Sequence, residues 1–247
     1  MKKNTVKILL FILAVIITGC KNDKWSYQEQ NQWKTQYTDC GGNEQSPIDI
    51  TTADTNRNMK PLFLDYYTVD TFKAEIIPHK LLKIYTPGTL VVPDSVYLGH
   101  EYYLNNIHFH TPSEHTVQGK HYPMEIHFVH RDTAGKAATV AVFVKEGKEN
   151  PALKTILDNL PRTKNKKETV VAELNINQLI PSSLSYWYYE GSKASPPCTQ
   201  GMKWFVMQQP IEASKAQIEK LQKIFGKNIR DIQPLNKRTI YQFSLSN

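Results

Sequence analysis

The chain has 247 residues, of which 40% are hydrophobic, 11% aromatic and 21% charged. That composition excludes a repetitive or low-complexity chain and leaves enough apolar material for one large domain with a sizeable core. The formal net charge is +7, but Lys2, Lys3 and Lys7 belong to the opening segment; without them 27 cations face 23 acids, a balance of +4 that argues against a nucleic-acid partner.

The first twenty residues read as an address. Lysines precede an uninterrupted apolar run from Ile8 to Ile17, which is the length of a signal-peptide core and too short to span a bilayer. The run ends in Ile17-Thr18-Gly19-Cys20, which resembles the lipobox of bacterial lipoproteins. Cleavage after Gly19 would leave Cys20 as a lipid-modified N-terminus; a plain secretory signal is the alternative. The expected division is a lipoprotein signal peptide over 1–19, a lipidated tether over 20–24 and one domain over 25–247. The expected location is outside the cytoplasm, anchored to a membrane through Cys20, in the periplasm or at the cell surface. With Cys20 given to lipid, Cys40 and Cys198 remain as a pair. An oxidising compartment would join them in a disulfide closing a loop of about 160 residues, a free pair being the alternative.

The middle of the chain predicts strands. Lys73 to Ile77, Leu81 to Tyr85, Thr89 to Val92, Tyr102 to His110, Met124 to His130 and Thr139 to Lys145 are rich in β-branched and aromatic residues, with Pro, Gly, Asn and Asp between them. Two short helices interrupt this mainly β pattern. Pro151 opens one that carries Leu153, Ile156, Leu157 and Leu160 on a single face. The other runs from Ala213 to Phe225 with Ile218, Leu221 and Phe225, and Gly226 stops it. The basic run Arg162 to Lys167 lacks apolar residues and predicts an exposed loop.

Chemistry is concentrated in Asn106-Ile107-His108-Phe109-His110 and Glu125-Ile126-His127-Phe128-Val129. Residues i and i+2 of a strand leave the same face about 6 to 7 Å apart, so His108 and His110 can address one ion while Phe109 packs behind them. His127 must then come from a neighbouring strand. Three imidazoles suit zinc, which binds nitrogen tetrahedrally and keeps a fourth position for water; bound zinc brings the pKa of that water towards neutrality. A metal-bound imidazole needs an acceptor on its other nitrogen, and Asn106 and Glu125 each stand two residues before a ligand on the same face.

Several further strings make the pattern specific: Gln45-Ser46-Pro47-Ile48-Asp49-Ile50, Ser113-Glu114-His115-Thr116-Val117, Pro196-Pro197-Cys198-Thr199 and Gln233-Pro234-Leu235-Asn236. With the two histidine strings, and in this order, they resemble the α-class carbonic anhydrases over about residues 25 to 243. The resemblance implies a mainly β single domain with a central, largely antiparallel twisted sheet and a few short peripheral helices. It also implies zinc-dependent, reversible hydration of carbon dioxide to bicarbonate. His108, His110 and His127 match the family's zinc ligands, and Asn106, Glu125 and Glu114 match residues that orient the ligands or the hydroxide network. His115 matches a buried structural histidine, Tyr27 a tyrosine of the active-site water network, and Trp25 and Trp33 aromatic residues that pack the N-terminal segment. His79 aligns with the proton-shuttle histidine, although Ile77-Pro78 precedes it where the family usually has Asn-Gly; an ordinary histidine pKa near 6.5 suits that task. Cys40 and Cys198 fall where exported members carry a bridge. Val129, Thr139, Lys193, Ala194, Ser195 and Trp204 fall in the substrate pocket.

The chain departs from the family in Gly191-Ser192-Lys193-Ala194-Ser195-Pro196-Pro197. The family usually has Gly-Ser-Leu-Thr-Thr-Pro-Pro there, so Ala194 replaces a threonine whose hydroxyl links the zinc hydroxide to the glutamate matching Glu114. Lys193 replaces a leucine and Thr139 a valine of the apolar wall. The expectation is a carbonic anhydrase slowed by Ala194. The alternative is a non-catalytic, zinc-holding or ligand-binding surface lipoprotein of the same fold.

Overall fold

The computed structural model describes residues 25–55, 59–78, 81–93 and 99–245. The expected signal peptide and tether, Cys20 included, and His79 lie outside the described residues. Within them, one sheet of thirteen strands organises the chain.

Along the sheet the strands run Glu168–Asn175, Thr68–Ile77, Leu81–Tyr85, His100–His110, Met124–Arg131, Ala137–Glu146, Gln200–Met207, Tyr186–Ser192, Tyr241–Phe243 and Asp54–Thr55. Most neighbours are antiparallel; Ala137–Glu146 pairs in parallel with Gln200–Met207 and with Ile211–Ala213, and Tyr241–Phe243 with Asp54–Thr55. The central strands are covered on both faces and so read as near-continuous apolar runs rather than alternating ones, as in Ala138-Thr139-Val140-Ala141-Val142-Phe143-Val144, every residue of which is buried. One core packs Phe109, Phe128, Val140 and Val142 against Leu153 and Ile156 of the helix Pro151–Asp158, and Ile218 and Phe225 of the helix Lys215–Phe225. The other face carries a smaller cluster around Ile48, Phe143, Tyr189 and Trp204.

All six predicted strands are present, most of them longer than expected at one end or both, for example Thr68–Ile77 and Ala137–Glu146. The helix expected from Ala213 begins at Lys215, because Ser214 caps it by accepting from the Gln217 amide while Gln217 returns the bond to the Ser214 amide. Ala213 ends a short strand instead. Leu160 lies beyond the end of the first helix but still packs against the core. Arg162 to Lys167 is exposed throughout, with the Lys167 ammonium 3.5 Å from the centre of the Tyr85 ring. A third helix, Gln30–Gln36, carries buried Trp33 into a cluster with Trp25, Tyr27, Tyr37, Cys40 and Cys198.

Cys40 and Cys198 form a disulfide across a separation of 158 residues. It ties the N-terminal segment to the loop that follows Ser192. The double variant Cys40→Ala/Cys198→Ala should lose about 2–5 kcal/mol of unfolding free energy, visible as a lower urea midpoint than that of the oxidised protein; equal midpoints would show that the bridge contributes nothing.

Candidate metal centre

The antiparallel register of two central strands creates the centre. His127 lies directly opposite His108, Glu125 opposite His110 and Val129 opposite Asn106. Directly opposed residues point to the same face of a sheet, so the period-2 spacing of His108 and His110 and the cross-strand position of His127 bring three imidazoles to one spot. Their ring centres are 4.6 to 5.1 Å apart. One ring nitrogen of each lies within 4.8 Å of the other two.

The remaining nitrogens are committed. His108 Nδ1 donates to Asn106 Oδ1 at 2.8 Å, His110 Nδ1 to the backbone oxygen of Asn228 at 2.7 Å, and His127 Nε2 to Glu125 Oε1 at 2.8 Å. This leaves Nε2, Nε2 and Nδ1 facing the common point, and buried His110 Nε2 has no hydrogen-bond partner among the described residues. Buried polar atoms are rarely left so; an electron-pair acceptor such as a metal ion satisfies all three nitrogens. Burial, reinforced by the neighbouring histidines, pulls His108 well below its usual range and His110 down to about 3, and His127 is lowered too. The rings are therefore neutral at pH 7, the form a metal requires.

A second group, His115, Glu125 and His127, also lies within metal-ligand reach. Its atoms are already spent on one another. Glu125 accepts from His115 Nδ1 at 2.7 Å as well as from His127, and His115 Nε2 meets the Tyr189 hydroxyl at 2.7 Å. Burial works to raise the Glu125 carboxyl, but the two histidines outweigh it and hold it well below the carboxylate range. This group is thus the support of His127 and not a rival site.

Asn106, Glu114, Tyr27, Val129, Thr139, Lys193, Ala194, Ser195 and Trp204 line one pocket together with the three histidines. Glu125 stands behind His127. Glu114 Oε1 accepts from the Arg230 amide at 2.9 Å, while its Oε2, 3.6 Å from His110 Nε2, has no hydrogen-bond partner among the described residues. Burial and the nearby Glu125 push the Glu114 carboxyl well above its usual range against the pull of Arg230. The Thr139 hydroxyl turns to the Met202 sulfur at 3.4 Å, which takes some polarity off that wall. The loop carrying Lys193 to Ser195 is pinned at its root: Trp204 Nε1 donates to the Ser192 oxygen at 3.0 Å. Gly191 approaches Ser46 so closely that a Cβ there would sit 2.1 Å from its hydroxyl. The Gln45-Ser46-Pro47 string thus serves as scaffold, with Ser46 Oγ bonded to Tyr189 and the Ser192 amide, and Gln45 Oε1 to Arg230.

Sequence reading alone did not find Asn228, Arg230, Lys83, Arg131 or Met202. Asn228 meets His110 through its backbone oxygen, and its side chain donates to the Phe109 oxygen and accepts from the Thr111 amide, but it lies more than a hundred residues from His110, so no local pattern marks it. Lys83 was visible in principle, since it alternates with Leu81 on the strand that lies beside His108.

The same burial sets a pH response. His108, His110 and His130, the last lowered to about 4 by burial, bind protons less readily folded than unfolded. Stability is therefore present above the unfolded value of about 6.5 and is lost as pH falls towards 4 and 3, by about 1.4 kcal/mol per histidine per pH unit. Glu114, raised, works in the opposite sense but is one group against three. Urea unfolding of metal-free protein should give a lower midpoint at pH 5.5 than at pH 7; an equal or higher midpoint would contradict this account.

Comparison with known proteins gives the family. The model of the eukaryotic-type carbonic anhydrases matches residues 28–244. A carbonic anhydrase of Klebsiella pneumoniae is 31% identical over 252 residues, covering 98% of this chain and all of that protein. The solved α-carbonic anhydrase of Photobacterium profundum is 37% identical with a TM-score of 0.78, covering 86% of this chain and 95% of that one. That of Thermovibrio ammonificans, solved with the inhibitor sulfanilamide, has the same score and identity, with coverages of 86% and 94%. Agreement in sequence over nearly the whole chain and in fold leads to one conclusion: the chain belongs to the α-class carbonic anhydrases, enzymes that generally use zinc to hydrate carbon dioxide reversibly to bicarbonate.

Proposed function

We propose that His108, His110 and His127 hold zinc and that the pocket above them hydrates carbon dioxide. The observation that carries this reading is the commitment of the three outer nitrogens, which leaves three neutral imidazole nitrogens converging in a buried place. When held there, zinc would supply Lewis acidity, lowering the pKa of a water towards neutrality, as is general for the carbonic anhydrases.

The chain's own residues supply the rest. Asn106, the Asn228 carbonyl and Glu125 fix ring orientation and tautomer. Glu125 adds a buried negative charge that offsets the cation's. Val129 and Trp204, with the methyl of Ala194, form the apolar side on which an uncharged gas settles. Tyr27 keeps its proton, since burial and Glu114 hold its pKa well above 10, so it serves as a hydrogen-bonding wall and not as a base. His79 is assigned the proton exchange with buffer.

Ala194 leaves Glu114 Oε2 without the hydroxyl that a threonine would offer. That bond would aim the activated water, and a hydrogen bond to a charged group is worth roughly 1.5 to 3 kcal/mol. Realised in the transition state, its absence slows hydration about ten- to 150-fold. We also assign 1–19 to a lipoprotein signal peptide and Cys20 to lipid attachment, which places the enzyme outside the cytoplasm on a membrane; the paired Cys40 and Cys198 agree with an oxidising compartment.

Stopped-flow hydration by zinc-loaded protein should exceed the buffer rate and drop to it after chelation; no metal-dependent rate would sink the proposal. Ala194→Thr should raise kcat by ten- to 150-fold in the same assay, and an unchanged kcat would mean that the loop aims the water by other means. Expressed in its native host, the full chain should carry radiolabelled fatty acid and sediment with membranes. Cys20→Ser should lose both properties; retention of the label would remove Cys20 as its site.

A further inference from the structure

The pocket carries more positive charge than the hydration of a neutral gas requires. Among the described residues that line it are three cations, Lys83, Arg131 and Lys193, against a single carboxyl, Glu114. Lys83 is the closest of the three to the histidines in the sheet. It lies directly opposite His108 in the antiparallel register, so both side chains leave the same face. Leu82 and Ile84 are fully buried on the other face, while Leu81 and Lys83 front the pocket, which fixes the direction of the ammonium. Its other strand neighbour, Glu75, accepts from the Tyr85 hydroxyl and acts on Lys83 only through space. Lys167, over the Tyr85 ring, offsets that acid. Burial chiefly, and Lys167, draw the Lys83 ammonium down from its ordinary value and Glu75 raises it; with three basic side chains against one carboxyl, the lining beside His108 is basic. On the strand beyond His108, Arg131 follows His127 and Val129 at the same period of two, its guanidinium donating to the Gly135 oxygen, and Lys193 lines the pocket from the loop that follows Ser192.

The two carbon species of the reaction differ in charge: carbon dioxide is neutral and bicarbonate is a monovalent anion. A fixed cation at the wall attracts one and is indifferent to the other. We propose that Lys83, supported by Arg131 and Lys193, makes this pocket selective for small monovalent anions and so determines how tightly bicarbonate is held. The inference rests on the hydration chemistry assigned above to the same pocket. Because the reaction equilibrium fixes the ratio of kcat/KM in the two directions, the effect of Lys83 appears in product inhibition and in the KM for bicarbonate, not in that ratio. Physically, the enzyme would slow itself as bicarbonate accumulates at its mouth.

The test compares parent, Lys83→Met and Lys83→Arg at equal zinc content and low ionic strength. The inhibition constant of bicarbonate in stopped-flow hydration should rise about three- to tenfold in Lys83→Met and return towards the parent value in Lys83→Arg. The dissociation constant of thiocyanate, read by calorimetry and so independent of turnover, should move in the same sense, and added inert salt should shrink the difference. Parent-like thiocyanate affinity in Lys83→Met, or equal weakening in Lys83→Met and Lys83→Arg, would overturn the inference. A parent that binds thiocyanate but hydrates no carbon dioxide would remove the hydration proposal instead, and the comparison of variants would still decide the role of Lys83.

Discussion

Everything at the metal centre depends on the register between His100–His110 and Met124–Arg131. Two of the three imidazoles come from one strand by simple alternation, but the third is useful only if His127 sits opposite His108. A slip of one residue would turn His127 to the other face of the sheet and bring Ile126 or Phe128 to the centre. The register is held by what lies behind it: Phe109, Ile126 and Phe128 are completely buried in the main core, so a slip would also drive three large apolar side chains into a polar pocket. The same alternation that builds the core therefore aims the three imidazoles.

Around this register the chain places a second layer that is polar, buried and drawn from distant segments. Glu125 holds His115 and His127, Tyr189 meets His115 and Ser46, and Arg230 reaches Gln45, the Ser46 oxygen and the Cys40 oxygen. Networks of this kind are costly if half made and rigid when complete. They explain why a pocket with only a few reacting groups needs so long a chain: strings such as Gln45-Ser46-Pro47 act by fixing other residues. The loop Gly191 to Pro197 belongs to the same layer at its root, through Ser192, Gly191 and Trp204, and departs from the family's usual string at its tip, Lys193, Ala194 and Ser195.

How much of this was legible follows from how local each signal is. Alternation and β-branched residues marked the six central strands, and His108, His110, His127, Asn106 and Glu125 were readable because their spacing is short and their chemistry unambiguous. The strands Glu168–Asn175, Tyr186–Ser192 and Gln200–Met207 escape such a reading: adjacent Val170 and exposed Val171 blur the alternation of the first, and Tyr or Trp beside Glu, Lys or Gln gives no clean period in the others. The pairing of His127 with His108 was only inferred as a need, because register between strands fourteen or more residues apart is decided by the whole sheet. Asn228 was invisible: any residue can offer a backbone oxygen. Family resemblance supplied what spacing could not, namely Glu114, the loop and its missing hydroxyl.

The bond from His110 to the Asn228 oxygen spans 118 residues, and that from Arg230 to Gln45 spans 185. Both anchor points lie in the last fifth of the chain, beyond the last helix. A chain that has not yet presented this segment can pair its central strands and still leave His110 free to rotate and Glu114 without its amide donor. Closing contacts of such sequence separation costs more chain entropy than closing local ones. The orientation of His110 and the amide donor of Glu114 therefore depend on the C-terminal segment being in place, so damage there would disturb the site without touching any of its histidines.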